Sequence, residues 1–189
     1  MKELSLHILD LLENSIKAGA SLIEVTVLEE RESDRMTITI KDNGCGMSPE
    51  MVSHVLDPFV TTRTTRKVGL GLPLFAAAAR HCEGDLTISS KVGEGTAVVA
   101  TFKRSHIDRA PLGDIAEAIT TALLKPGHYD VVYRHQVDDD NLEFDTRDIR
   151  KVLGDIPLST LEVQSWMRES IDSGEQSLRQ SERVMDNPE

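Results

Sequence analysis

The sequence predicts an α+β fold in which one sheet is covered by helices, and two observations carry that reading. Four segments alternate apolar and polar residues, "LIEVTVLEE" with "RMTITIK" and "DLTISSK" with "TAVVATFK", each pair joined by a short polar connection. Before and between the pairs lie stretches with apolar residues at helical spacing, stopped by Gly19 and Gly84. The resulting order is helix, two strands, short helix, loop, helix, two strands, and such a sheet must bury one face under its helices.

Each element has a local reason. In "ELSLHILDLLENSIKAGA", Leu4, Ile8, Leu11, Leu12 and Ile16 form the apolar face, while Asp10, Asn14 and Lys17 share a polar stripe on the other side. The second strand ends in "DNGCGM", residues that tolerate unusual backbone angles. Ser48 and Pro49 then suit the N-cap and first turn of a short helix, "SPEMVSHVL". A polar stretch, "TTRTTRK", leads into "GLGLPLFAAAARHCEG", a glycine-rich loop feeding a helix.

Past residue 104 the composition changes. "GDIAEAITTALLK" reads as a helix, "YDVVYRHQV" and "LEFDT" as a hairpin around the acidic turn "DDDN", and "TRDIRKVLG" as a short helix. "STLEVQSWMRESI" opens with a capping box in Ser159 and Glu162. The expected division is a main domain over residues 1–104, an acidic α/β extension over 105–175, and a polar, disordered tail over 176–189.

Charge and composition exclude several classes. Residues 1–104 hold 12 Lys/Arg against 14 Asp/Glu, and 105–189 hold 9 against 18, so the acidity lies in the C-terminal half. Neither half offers a basic stripe, and direct nucleic-acid binding is not expected. No apolar run approaches the ~20 residues of a membrane span, and "MKELSLHILD" does not read as a signal peptide, so no membrane association and a cytoplasmic location are expected. Cys45 and Cys82 stand far apart without a metal-ligand spacing and read as small filler thiols.

Glycines at a loop-to-helix junction let backbone N–H groups approach anionic oxygens, and Gly69 and Gly71 fit that use. The P-loop pattern is absent. On the first helix, Asn14 offers an oxygen to Mg²⁺, Lys17 a charge for a terminal phosphate, and Asp10 a carboxylate to orient or deprotonate an attacking group.

Taken together, these segments resemble the gyrase, heat-shock chaperone, histidine kinase and mismatch-repair ATPase superfamily. "DLLENSIKAGA" is similar to its N box, "DNGCGM" to its D-x-G-x-G box, "DPFVTTR" to its phenylalanine box, "GLGLPL" to its second glycine box and "GEGT" to its closing glycine-threonine motif, in order over residues 3 to 104. The resemblance implies a two-layer α/β sandwich of Bergerat type. It implies ATP and Mg²⁺ as ligands, Asp42 accepting the adenine amino group, Gly44 and Gly46 shaping the base pocket, Thr96 supporting the base and Asn14 ligating Mg²⁺. It makes Phe59 to Lys67 a lid, with Arg63, Arg66 and Lys67 as candidate phosphate partners and Gly69 and Gly71 at its far hinge.

Within that superfamily the short lid and Lys17 lean toward histidine kinases. Kinases usually carry Asn where this chain has Asp10, the hydrolysing branches a Glu, and "ENSIKAGA" also echoes the mismatch-repair wording. Nine residues before Asp10 are too few for the helical hairpin that dimerises kinases and presents the phospho-accepting His, so a domain without that hairpin is expected. His7 reads as an ordinary helix residue near the site. The leading expectation is phosphoryl transfer from ATP to a partner protein in signal transduction. The alternatives are an ATP-hydrolysing switch using Asp10 and a nucleotide-responsive, anti-sigma-like module, with residues 105–175 as the partner surface. The sequence sets no oligomeric state.

Overall fold

The computed structural model describes residues 3–56 and 71–186, with side chains to residue 181. The first helix, α1 (Leu4–Lys17), buries Leu4, Ile8, Leu11 and Leu12 as its spacing requires and gives way to Gly19 at φ 73°. Strands β1 (Leu22–Glu30) and β2 (Arg35–Asp42) follow, then α2 (Pro49–Val55), whose Ser48 side chain accepts from the Met51 N–H with Pro49 in the first turn. Next come α3 (Gly71–His81), β3 (Asp85–Lys91) and β4 (Gly95–Lys103).

The six-stranded sheet has the order β3-β4-β2-β1-β5-β6. Its first four strands are antiparallel, with Val25 opposite Ile40, Ile40 opposite Val98, and Leu86 opposite Ala100. These inward residues are buried together with Ile23, Val27, Ile38 and Phe102, whereas Thr26, Thr37 and Thr39 alternate onto the other face. A helical layer of α1 and α3, with two C-terminal helices, packs on the buried face.

Residues 105–175 do not stand apart from this layer. The helix α4 (Ile115–Leu123) crosses over and packs on α1, and β5 (Asp130–Val137) then pairs parallel with β1, Val25 opposite Tyr133. The last strand, β6 (Asp140–Asp145), completes the expected hairpin, and α5 (Thr146–Leu153) follows. Ile115, Ile119, Met167 and Ile171 join the same hydrophobic cluster as Leu4, Ile8 and Val25.

Two further sequence expectations differ from the structure. The final helix, α6 (Leu161–Asp186), runs through the segment expected to be a disordered tail. Its apolar stripe is thin, Val163, Met167, Ile171 and Leu178, and its seam includes Gly174, where a Cβ would lie 2.3 Å from Leu142 Cδ1, and the buried Glu175. Sparse apolar residues interrupted by polar ones hid a packed face. The helix also starts one residue later than a cap at Ser159 implies, because the Gln164 N–H donates to the Thr160 carbonyl.

Candidate functional site

The strand register builds the site. Asp42 ends β2 opposite Thr96, two residues beyond the buried pair Ile40 and Val98, so both side chains lie on the helix-covered face. The Ser15 hydroxyl on α1 donates to Asp42 Oδ2 at 2.7 Å, and the Gly44 N–H donates to Oδ1 at 2.9 Å. Each carboxylate oxygen therefore holds one donor and keeps accepting capacity.

Thr96 is fixed just as closely. Ser90 Oγ accepts from the Met47 N–H at 2.8 Å, donates to the Gly95 carbonyl at 2.9 Å, and lies 2.9 Å from Thr96 Oγ1. With its one proton on Gly95, Ser90 must accept from Thr96, which leaves the Thr96 oxygen available as an acceptor.

The loop after Asp42 is clamped by its backbone. The Cys45 N–H donates to the Ala18 carbonyl at 2.9 Å, and the Cys45 carbonyl accepts from the Gly93 N–H at 2.8 Å, while the thiol is exposed. Gly46 has φ 65°, and a Cβ there would lie 1.9 Å from the Lys91 carbonyl oxygen, so only glycine fits. At Gly44 a Cβ would meet Ala18 at 2.9 Å. Asn43 anchors the turn into β1 by accepting from the Ser21 and Leu22 N–H groups at 2.9 and 3.0 Å.

The α1 stripe reaches a second helix. Gly71 opens α3 against Asp10, where a Cβ would lie 3.1 Å from Asp10 Oδ2. Burial first, and then the Glu13 charge, raise the Asp10 pKa above the ordinary carboxylate value, with Lys17 opposing. Asn14 is half-buried and Lys17 exposed, its Nζ 3.4 Å from Glu13 Oε2. His7 is buried and stacked on Phe75 at a centroid distance of 4.8 Å, and burial lowers its pKa to about 4. It is a neutral ring in the α1–α3 interface.

The family model described as histidine kinase-, DNA gyrase B-, and HSP90-like ATPase matches residues 2–106. The chain belongs to this ATPase family. That shared domain supports ATP binding. The chain is 37% identical over 110 residues to the sensor protein kinase FleS of Pseudomonas aeruginosa, covering 58% of this chain and 27% of that protein. It is 30% identical over 103 residues to a putative sensor protein of Shewanella frigidimarina, covering 53% and 16% respectively. With the CAI-1 autoinducer sensor kinase/phosphatase CqsS of Vibrio cholerae it shares 29% identity over 122 residues, 65% of this chain and 17% of the other. The chain thus spans less than a third of the length of these relatives. Among solved structures, the crystal structure of the N terminal domain of a DNA repair protein matches with a TM-score of 0.52 at 13% identity, covering 84% of this chain and 59% of that one, a likeness of fold.

The fold brings together Asp42, Gly44, Gly46 and Thr96 at one sheet end, and Asp10 and Gly71 where α1 meets α3, with Asn14 and Lys17 on the same α1 stripe. Phe59, Arg63, Arg66, Lys67 and Gly69 lie outside the described residues. Sequence reasoning missed Ser15, Asn43 and Ser90, which position the loop and both polar groups. The available signal for Ser15 was a small hydroxyl at helical spacing from Leu11 and Leu12 on the buried side of α1, which also carries Ser5 and His7. Clefts of about 390 Å³ around Asp34 and Lys103, and about 690 Å³ around Glu30 and Asp138, lie at the opposite sheet end and share none of these residues. Among the described residues no helix is long and apolar enough to cross a membrane, and no group of three or more His, Cys, Asp or Glu could hold a metal. A Mg²⁺ site here would instead use the amide oxygen of Asn14, a hard donor that suits a cation retaining several waters.

Proposed function

We propose that this chain is a Mg²⁺-dependent ATP-binding domain of histidine kinase-like type that passes the γ-phosphoryl group of ATP to a partner protein. The observation that carries this reading is the Asp42 carboxylate, anchored by Ser15 and Gly44 and faced by Thr96. An acceptor so held suits an exocyclic amino group, while Gly44 and Gly46 leave room for a base. Asn14 would hold Mg²⁺, which supplies charge neutralisation along the phosphates. Lys17 balances the terminal phosphate, Gly71 opens the α3 N-terminus to phosphate oxygens, and Asp10 orients the attacking group. In this reading Phe59 to Lys67 would be the lid, with Arg63, Arg66 and Lys67 as phosphate partners and Gly69 at its far hinge, and residues 105–175 would supply the partner surface. Similarity to proteins named sensor kinases supports a protein acceptor.

A second reading, an ATP-hydrolysing switch, is favoured by one observation: the Asp10 pKa is raised, which makes its carboxylate a better proton acceptor. Incubation with γ-labelled ATP and candidate partners separates the readings. Label on a protein supports transfer, free phosphate without protein label supports the switch, and bound, unconverted ATP supports a nucleotide-responsive binding module. Loss of label transfer with retained ATP binding in Lys17→Met would further support transfer.

A further inference from the structure

We propose that Lys125, in the connection after α4, is a positioning residue for the nucleotide site: it engages Glu13 and so loosens that carboxylate's hold on Lys17, which can then turn to a phosphate. The proposal rests on the ATP-binding reading above. Glu13 precedes Asn14 on α1 and lies one turn before Lys17. Its Oε1 is 3.0 Å from Lys125 Nζ, and its Oε2 is 3.4 Å from Lys17 Nζ. One carboxylate is thus shared between a lysine of the N-terminal helix and a lysine from the C-terminal half, and the closer contact belongs to the latter.

Lys125 is held in place by its backbone. Its N–H donates to the Ala122 carbonyl at 3.0 Å, and its own carbonyl accepts from the Tyr129 hydroxyl at 3.0 Å. That hydroxyl, on a residue 4% exposed, shares its one proton between this carbonyl and the Ala122 carbonyl, the closer of the two at 2.6 Å. Tyr129 leads directly into β5, whose first residue, Asp130, pairs with Leu22 of β1, at the sheet end where Asp42 and Thr96 lie. The fold therefore delivers the Lys125 ammonium to the flank of the α1 stripe.

A carboxylate shared by two ammonium groups holds each less firmly than one with a single partner. Lys17 keeps a 71% exposed side chain and the longer contact. Without Lys125, Glu13 has Lys17 as its i,i+4 partner, and an arriving polyphosphate must compete with that carboxylate for the ammonium.

The test measures affinity for Mg²⁺ with a non-hydrolysable ATP analogue by calorimetry, on the full chain. Lys125→Met is expected to weaken binding about two- to fivefold, the scale of a partly exposed ion pair, with Lys125→Arg close to wild type and Glu13→Gln restoring affinity to the Met variant. In a Lys17→Met background the Lys125→Met effect should vanish, because no ammonium remains to release. An equal effect in that background means that Lys125 acts through its own charge, and overturns the proposal. So does wild-type affinity in Lys125→Met. Should that variant fold poorly, Glu13→Gln alone is expected to tighten binding by a similar factor, and unchanged or weaker binding overturns the proposal. A wild-type chain that binds no analogue overturns the ATP-binding reading together with this inference, whereas wild-type binding without the coupling overturns the inference alone.

Discussion

The Ser15 hydroxyl donates to Asp42 Oδ2 over 2.7 Å, tying the last turn of α1 to the last residue of β2. Ser15 is 4% exposed and Asp42 half-buried, so this bond is partly shielded from solvent. The helix that carries the polar stripe and the strand end that carries the carboxylate are thereby fixed to each other.

Ser15→Ala is expected to weaken ATP binding about tenfold, since a hydrogen bond to a charged group contributes roughly 1.5–3 kcal/mol. Asp42→Asn should cost more, because it replaces an accepting oxygen with a donor at the proposed base contact. Calorimetry with ATP and urea midpoints on both variants check this. A lowered midpoint with unchanged ATP affinity would reduce the pair to scaffold.

Asp10→Asn should stabilise the fold while removing phosphate release if the switch reading holds. Burial and Glu13 raise the Asp10 pKa, so the folded chain binds that proton more tightly than the unfolded chain. Its contribution to stability is therefore lost as pH rises through its titration, and the neutral amide avoids that loss. Thermal melts at neutral pH should show a higher midpoint for Asp10→Asn. Unchanged phosphate release would remove Asp10 from catalysis.

Much of this was legible in the sequence because it is local. Alternation placed β1 to β4, glycines marked the turns, and Ser48 with Pro49 marked α2. The stripe Asp10, Asn14 and Lys17 followed from helical spacing. Pairings set by distant segments were not legible. Val131 and Tyr133 read as members of a hairpin, but their parallel pairing with β1 depends on the α4 crossover, and nothing within "YDVVYRHQV" encodes that partner. Ser15 and Ser90 were silent for the same reason, since a small hydroxyl gains a role only when folding brings its partner close.

That non-local pairing has a consequence for truncation. The Leu4 and Ser5 N–H groups at the start of α1 donate to the Pro111 and Leu112 carbonyls at 3.0 and 2.7 Å, and α4 packs along α1. Ending the chain after Arg104 would orphan those donors and expose Ile8, Val25 and their neighbours. The truncated chain is expected to lose cooperative unfolding and ATP binding together. Full ATP affinity in residues 1–104 would restore the simpler picture of a separable extension.

The network that fastens α6 should make stability fall in alkaline solution. His135 Nδ1 lies 2.9 Å from Glu175 Oε1, which also accepts from the Tyr133 hydroxyl at 2.7 Å. Its Nε2 faces Glu29 Oε1 at 3.4 Å, a charge contact without hydrogen-bond alignment, and Arg104 donates to the other Glu29 oxygen at 2.8 Å. Burial by itself lowers the His135 pKa, but Glu175 and Glu29 outweigh it and raise the value from 6.5 to about 9. A raised value means that the stabilisation is complete below pH 6.5 and is lost as pH climbs to about 9. His135→Ala leaves the buried Glu175 without its imidazolium partner and Glu29 with Arg104 alone, and should cost about 3–5 kcal/mol at neutral pH. The variant should also lose the decline between those two pH values, which urea midpoints across that window measure. A wild-type midpoint that stays level there would show that His135 is not held charged between Glu29 and Glu175.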